Sequence, residues 1–125
     1  MISYMHSATV VVANQDAALD FYVNTLGWEK ALDVPMDGAV RFLTVVPPGA
    51  RTQLVLGDTS WYGEDTRPTK STGITLVAPD IDATYETLAA RGVRFKEPVA
   101  LMPWGQKATW FYDLDDNEFF LVEDE

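Results

Sequence analysis

Few residues in this 125-residue sequence have both the type and the setting for chemistry. There is one histidine, His6, and no cysteine, which removes disulfides, thiolate metal sites and thiol nucleophiles together. Ser7 stands beside His6, but in a stretch that reads as a strand adjacent side chains point to opposite faces, so the two do not make a nucleophile and its base. No glycine-rich phosphate loop is present. Two polar candidates remain: Arg41, set among Val40, Phe42 and Leu43, and Glu118, set before Phe119 and Phe120. An arginine in so apolar a run either anchors an anionic group of a guest or pairs with an internal acid. A carboxylate beside a phenylalanine is either an acid of raised pKa or a solvated edge residue. Aromatic surface is more plentiful. Trp61, Trp104 and Trp110 offer flat faces for a planar or cationic guest, or else belong to a core. Trp61 and Trp104 fall in Gly- and Pro-containing segments, where a large apolar ring calls for a pocket rim or a subunit contact.

The elements that must position these residues form an internal repeat. At an offset of 66, Thr9-Val10-Val11-Val12 falls on Thr75-Leu76-Val77-Ala78, Asn14 on Asp80, Asp16 on Asp82 and Tyr22 on Leu88. At an offset of 65, Gly27 falls on Gly92 and Gln53-Leu54-Val55-Leu56 on Glu118-Phe119-Phe120-Leu121, so one residue is lost near a helix end. Each half predicts a strand (8–12 or 74–78), then a helix begun by Asn14 or Asp16, or by Asp80 or Asp82, and closed by a glycine, then three extended runs: 28–34, 39–46 and 52–57, or 93–97, 107–112 and 118–122. The plan is βαβββ twice, an α+β class, with module one about 1–57, a linker or lid over 58–72, and module two about 73–125. Period-2 reading gives one face that is wholly apolar (Ala8, Val10, Val12, Leu54, Leu56, Ile74, Leu76, Ala78, Phe119, Leu121) and suited to pack the helices. The other mixes small, apolar and hydrogen-bonding groups: Ser7, Thr9, Val11, Gln53, Val55, Gly73, Thr75, Val77, Glu118, Phe120 and Val122. Such a mixture suits a ligand pocket, and equally the inner packing of two sheets or a dimer seam.

Composition narrows the partners. With 19 acidic and 9 basic residues the formal charge is −10, so the field repels phosphate backbones and anionic membranes, and neither nucleic acid nor a membrane is an expected partner. The amino-terminal residues carry no basic leader pattern and no apolar run approaches a membrane span, which predicts a cytoplasmic protein.

The strand–helix opening that ends Phe21-Tyr22 and then Leu26-Gly27, the Trp104-Gly105 pair, and the late turn Asp113-Leu114-Asp115-Asp116-Asn117 together resemble the vicinal oxygen chelate superfamily, which comprises glyoxalases, bleomycin resistance proteins and extradiol dioxygenases. The likeness runs nearly end to end, as a single domain over 1–125. It implies curled mixed sheets around a cavity, with the helices on the convex side. It also implies where metal-using members hold their ion: a His opening the first strand, an acid in the fourth, a His opening the fifth and a Glu in the eighth. The matching positions here are Ser7, Val55, Gly73 and Phe120. His6 misses the first by one residue, which turns its imidazole to the other face. The repeat gives an independent check, since Ser7 overlays Gly73 and Val55 overlays Phe120. None of the four supplies the imidazole or carboxylate donors that a divalent ion needs. Gln53 and Glu118 are the nearby oxygens on that face, and a dimer that joined two copies of His6 is the one route to a pair of imidazoles.

The resulting expectation is a metal-independent protein, without cofactor, that sequesters an aromatic or cationic small organic molecule, as a homodimer. Its cavity face holds Ser7, Thr9, Arg41, Gln53, Val55, Trp61, Gly73, Thr75, Trp104, Trp110, Glu118 and Phe120. The alternative is a glyoxalase- or dioxygenase-like metal-dependent lyase, isomerase or oxidoreductase with its site displaced to His6, Glu118 or other acids, or a metal-free catalyst that uses Glu118 and Arg41. A third reading is a scaffold with no small ligand.

Overall fold

The computed structural model describes residues 1–124. The two halves of the repeat form two compact units, Met1–Thr69 and the chain from Lys70 onward. In unit one β1 (Ser7–Val12) leads to α1 (Gln15–Asp20), then β2 (Glu29–Pro35), β3 (Arg41–Val46) and β4 (Gln53–Asp58). The sheet order is β1-β4-β3-β2, with β1 parallel to β4 and the other pairs antiparallel. In unit two β5 (Ser71–Ala78) leads to α2 (Ile81–Ala90), then β6 (Arg94–Phe95), β7 (Ala100–Leu101), β8 (Lys107–Tyr112) and β9 (Glu118–Glu123). Its order is β5-β9-β8-β6, with β7 also on β8 and β5 parallel to β9. This is the expected α+β class.

Of the two candidates at each helix start, Asn14 and Asp80, rather than Asp16 and Asp82, are the caps. Asn14 Oδ1 accepts from the Ala17 amide at 2.9 Å, and Asp80 Oδ1 from the Ala83 amide at 3.1 Å, a matched pair of N-caps at repeat-related positions. Both close at a glycine in the left-handed region, Gly27 at φ 79° and Gly92 at φ 90°. Between start and stop lies the residue by which the two halves differ. After α1 the chain makes one π turn, Phe21–Thr25, with the Leu26 amide donating to the Phe21 carbonyl five residues back. The closing bond of α2 runs from the Val93 amide to the Leu88 carbonyl, whereas its counterpart runs from Trp28 to Tyr22, one residue further. The change of offset from 66 to 65 is thus a residue absorbed as a wider helical turn.

The apolar phase holds in both units. Val10, Val12, Leu54, Leu56, Phe119 and Leu121 are buried, with Tyr22 and Ile81 packed fully inside from the helical segments. A polar bridge supports unit one. Gln15 is buried, its Nε2 donates to the carbonyls of Arg41 (2.7 Å) and Leu56 (2.9 Å), and its Oε1 accepts from the Arg41 amide (3.1 Å), so one side chain joins α1 to β3 and β4.

Three departures from the sequence expectation have local causes. The run 93–97 stops at Phe95 and resumes as β7, because Pro98 has no amide to give the ladder; the Glu97 carbonyl instead accepts from the buried Thr109 hydroxyl at 2.6 Å. β5 begins at Ser71 rather than 74, which shortens the connecting segment. Within β5, Ser71 pairs with Glu118 and Thr75 with Phe120, so four steps on β5 oppose two on β9. The surplus is taken up at Gly73, in the left-handed region at φ 72°, where Thr72 Oγ1 donates to the Glu118 carbonyl and accepts from the Ile74 amide.

Candidate functional site

In unit two, three strands set two rows of side chains on one face. Thr75, Phe120 and Trp110 pair across β5, β9 and β8, and Ser71, Glu118 and Tyr112 form the next row. Because the surplus in β5 is an even number of residues, Thr75 keeps the face that strict alternation assigns it. A cleft of about 440 Å³ opens over these rows, bordered by Ser71, Gly73, Ile74 and Thr75 of β5, Trp110 of β8, Glu118 and Phe120 of β9, and Trp104. Its volume is that of a small organic molecule.

Its walls are mainly aromatic. Trp110 and Phe120 have ring centroids 4.7 Å apart at 36°, and Trp104 meets Phe120 edge-on at 6.4 Å and 66°. Trp104 is 61% exposed yet fixed, since its Nε1 donates to Gln106 Oε1 at 2.9 Å while Gln106 Nε2 donates to the Glu123 carbonyl. The polar end of the cleft is Glu118. Lys96 Nζ lies 3.8 Å from its carboxylate and also 5.6 Å from the Trp110 ring centroid. The Tyr112 phenol stands in the same row as Glu118, and its pKa is raised above the ordinary tyrosine value, first by partial burial and then by the Glu118 carboxyl beside it. The Glu118 side chain therefore has a cation and a phenol beside it.

Six of the residues expected on a cavity face (Gly73, Thr75, Trp104, Trp110, Glu118 and Phe120) border this one cleft. Ser71, Tyr112 and Lys96 were not singled out, and Ile74, expected on the apolar face that packs the helices, borders the cleft instead. Tyr112 was two positions from Trp110 on the same strand, a period-2 signal that was legible; Ile74 borders the cleft at the Gly73 irregularity, which no local pattern announces.

In unit one the expected face also exists. Ser7 pairs with Gln53, Thr9 with Val55, Val11 with Gly57, and Thr44 with Val55. Its polar groups are used internally: Thr44 Oγ1 donates to Gln53 Oε1 at 2.7 Å and accepts from the Leu32 amide. Trp61 lies on this face, over Gly57 and beside Thr9, with its ring nearly parallel to Phe42. The placement of Arg41 needs correction. Register puts Thr44 with Val55, so Arg41, three residues earlier, points to the opposite face, toward α1. There its Nη1 meets Asp16 at 2.6 Å and its Nε meets Asp33 at 3.0 Å, the acid-pairing alternative.

His6 is exposed at its side chain and gives its backbone carbonyl to the Gln53 amide at 2.9 Å. Among the described residues, the three carboxylates close enough to share an ion are Asp80, Asp82 and Glu123, and each already has a structural partner: the Ala83 amide, Lys107 and the Ile81 amide. The four positions that the resemblance implies for metal ligands carry Ser7, Val55, Gly73 and Phe120, a donor set that does not fit a divalent ion.

Residues 4–121 match the sequence profile of the Glyoxalase/Bleomycin resistance protein/Dioxygenase superfamily. The chain belongs to that superfamily. An uncharacterized Bacillus subtilis protein, YetH, is 32% identical over 98% of this chain and all of its own length. A solved structure of a superfamily member from Sphaerobacter thermophilus is 59% identical, with 98% of each chain covered and a TM-score of 0.91. TnmS3, an antibiotic binding protein from Streptomyces sp. CB03234, is 35% identical, with 99% of this chain and 98% of its own covered and a TM-score of 0.83.

Proposed function

We propose that this superfamily member sequesters a planar aromatic organic molecule, of the antibiotic kind, in the unit-two cleft, without a metal ion or other cofactor. One observation carries the reading: an aromatic wall of Trp104, Trp110 and Phe120 stands around the cleft, and the resemblance implies that Phe120 and Gly73 stand where metal-using members hold a cation. Such a wall binds by ring stacking and exclusion of water, with the Thr75 hydroxyl and Glu118 as orienting groups. Likeness to TnmS3 supports the same class of guest. The Lys96–Glu118 pair suits a guest that carries both an acceptor and a donor, and the net charge favours one that is neutral or cationic.

Titration with aromatic antibiotics, followed by tryptophan fluorescence and calorimetry, tests the proposal. One-to-one binding is expected, weakened about tenfold or more by Trp104→Ala or Trp110→Ala, in line with the loss of one stacking face, and unaffected by EDTA. Affinity that vanishes on chelation, or that survives both substitutions, rejects it. The protein is further proposed to act in the cytoplasm as a homodimer: Leu32 and Val34 on the edge strand β2, and Met36 just beyond, are apolar and exposed, as a subunit contact requires. Light scattering on purified protein decides the stoichiometry.

A further inference from the structure

Glu118, the charged residue on the cleft border, faces a cation that the chain itself supplies. Register brings the two together. Arg94 pairs with Tyr112, and two residues on the Lys96 amide donates to the Trp110 carbonyl at 2.9 Å, so Arg94 and Lys96 share the face of Tyr112 and Trp110. The two cations are held differently. Arg94 Nη2 donates to the Asp113 carbonyl at 2.9 Å and to Asp116 Oδ1 at 2.6 Å, which commits it to the turn after β8. Lys96 Nζ stands 3.8 Å from the Glu118 carboxylate, too far for a hydrogen bond and the longest ion pair among the described residues, and 5.6 Å from the Trp110 ring centroid.

A carboxylate and an indole face are the two kinds of group that recognise an organic ammonium, one as counter-ion and the other through its ring quadrupole. Both border the cleft, and Lys96 reaches them from just past the end of β6. Its side chain is 53% exposed, against 22% for Glu118. The lysine therefore regains water easily when it leaves, while the more enclosed carboxylate is the partner that needs a cation.

We propose that Lys96 determines specificity by competition: its ammonium occupies a cation subsite of the cleft, and the guest that displaces it is a planar aromatic carrying an alkylammonium group. This subsite rests on the reading of the cleft as a binding site for a small organic guest, to which it adds the sign of the guest's charge and the residue that opposes it. Because the two ammonium groups contend for the same partners, removing the lysine strengthens binding. A lysine that held the guest would give the reverse.

Calorimetry with 2-(1-naphthyl)ethylamine, an ammonium at pH 7, and 2-(1-naphthyl)ethanol, a neutral probe of nearly equal shape, tests this. Lys96→Met is expected to tighten the amine about threefold to tenfold and to leave the alcohol within about twofold. Lys96→Gln, which adds no apolar surface, is expected to do the same. Lys107→Met removes an equal charge from the other face of β8, where that lysine pairs with Asp82, and is expected to leave both probes within about twofold. In Glu118→Gln the gain from Lys96→Met is expected to vanish. Amine affinity that falls or stays the same in both Lys96 variants, or a gain shared equally by the alcohol or by Lys107→Met, overturns the competition and leaves the cleft standing as a site. Failure of both probes to bind any of these forms at millimolar concentration overturns the subsite and the cleft reading together.

Discussion

At the scale of single residues, Arg41 shows how a functional-looking group becomes a structural one. Its neighbours Val40, Phe42 and Leu43 leave the direction of its side chain undetermined until register fixes Thr44 against Val55, and only then does it turn toward Asp16 and Asp33. Asp33 has its pKa lowered below 3.8, first by the hydrogen bond from Arg41. A carboxyl whose folded pKa is depressed adds stability above its unfolded value and loses it as the pH falls through the folded one. Carbon-detected NMR should therefore place the Asp33 midpoint below 3.8, and Arg41→Met should bring it back up. Gln15 offers a second test. Replacing it with leucine strands two carbonyls and one amide at buried or half-buried positions, which predicts a loss of about 3 kcal/mol in urea unfolding. No local pattern signals this role, since a lone glutamine near a helix start reads as an ordinary surface residue.

At the scale of elements, the repeat was the most legible feature because it compares the chain with itself. Strand and helix order and both glycine stops followed from it, each N-cap was narrowed to two candidates, and the residue that the π turn absorbs was visible as the slip from 66 to 65. Deleting Asn24, an exposed member of that turn, should convert it to α geometry and leave Gly27 as the stop, much as α2 closes at Gly92. A circular dichroism melt within a few degrees of wild type is expected; a deletion mutant that does not fold refutes the equivalence of the two turns. Less legible were the break at Pro98 and the irregularity at Gly73. The first depends on Thr109, eleven residues away, to satisfy a carbonyl, and the second on how β5 pairs with β9; neither partner is visible from local pattern. As a result Trp104, Trp110 and Phe120 were among the residues expected on a cavity face, as were Gly73 and Thr75 of β5, while Ser71 and Ile74 of that same edge were not.

At the scale of the whole molecule, the charge of −10 acts on approach rather than on fit. Stopped-flow mixing with paired planar dyes of opposite charge should show the cationic member associating roughly tenfold faster at low salt, with the difference gone at about 0.5 M, where the screening length is only a few ångströms. Equal rates at low salt would mean the charge serves solubility alone. No helix among the described residues is long and apolar enough to cross a membrane.

The first and last long strands of each half lie side by side in parallel, so every strand ladder closes before the chain crosses from Thr69 to Lys70. A gene rewritten to start at Lys70, run to the old carboxyl end and continue through a flexible spacer into Met1 would break no strand pairing. For the strand pairing inside each half, which of the two is translated first makes no difference.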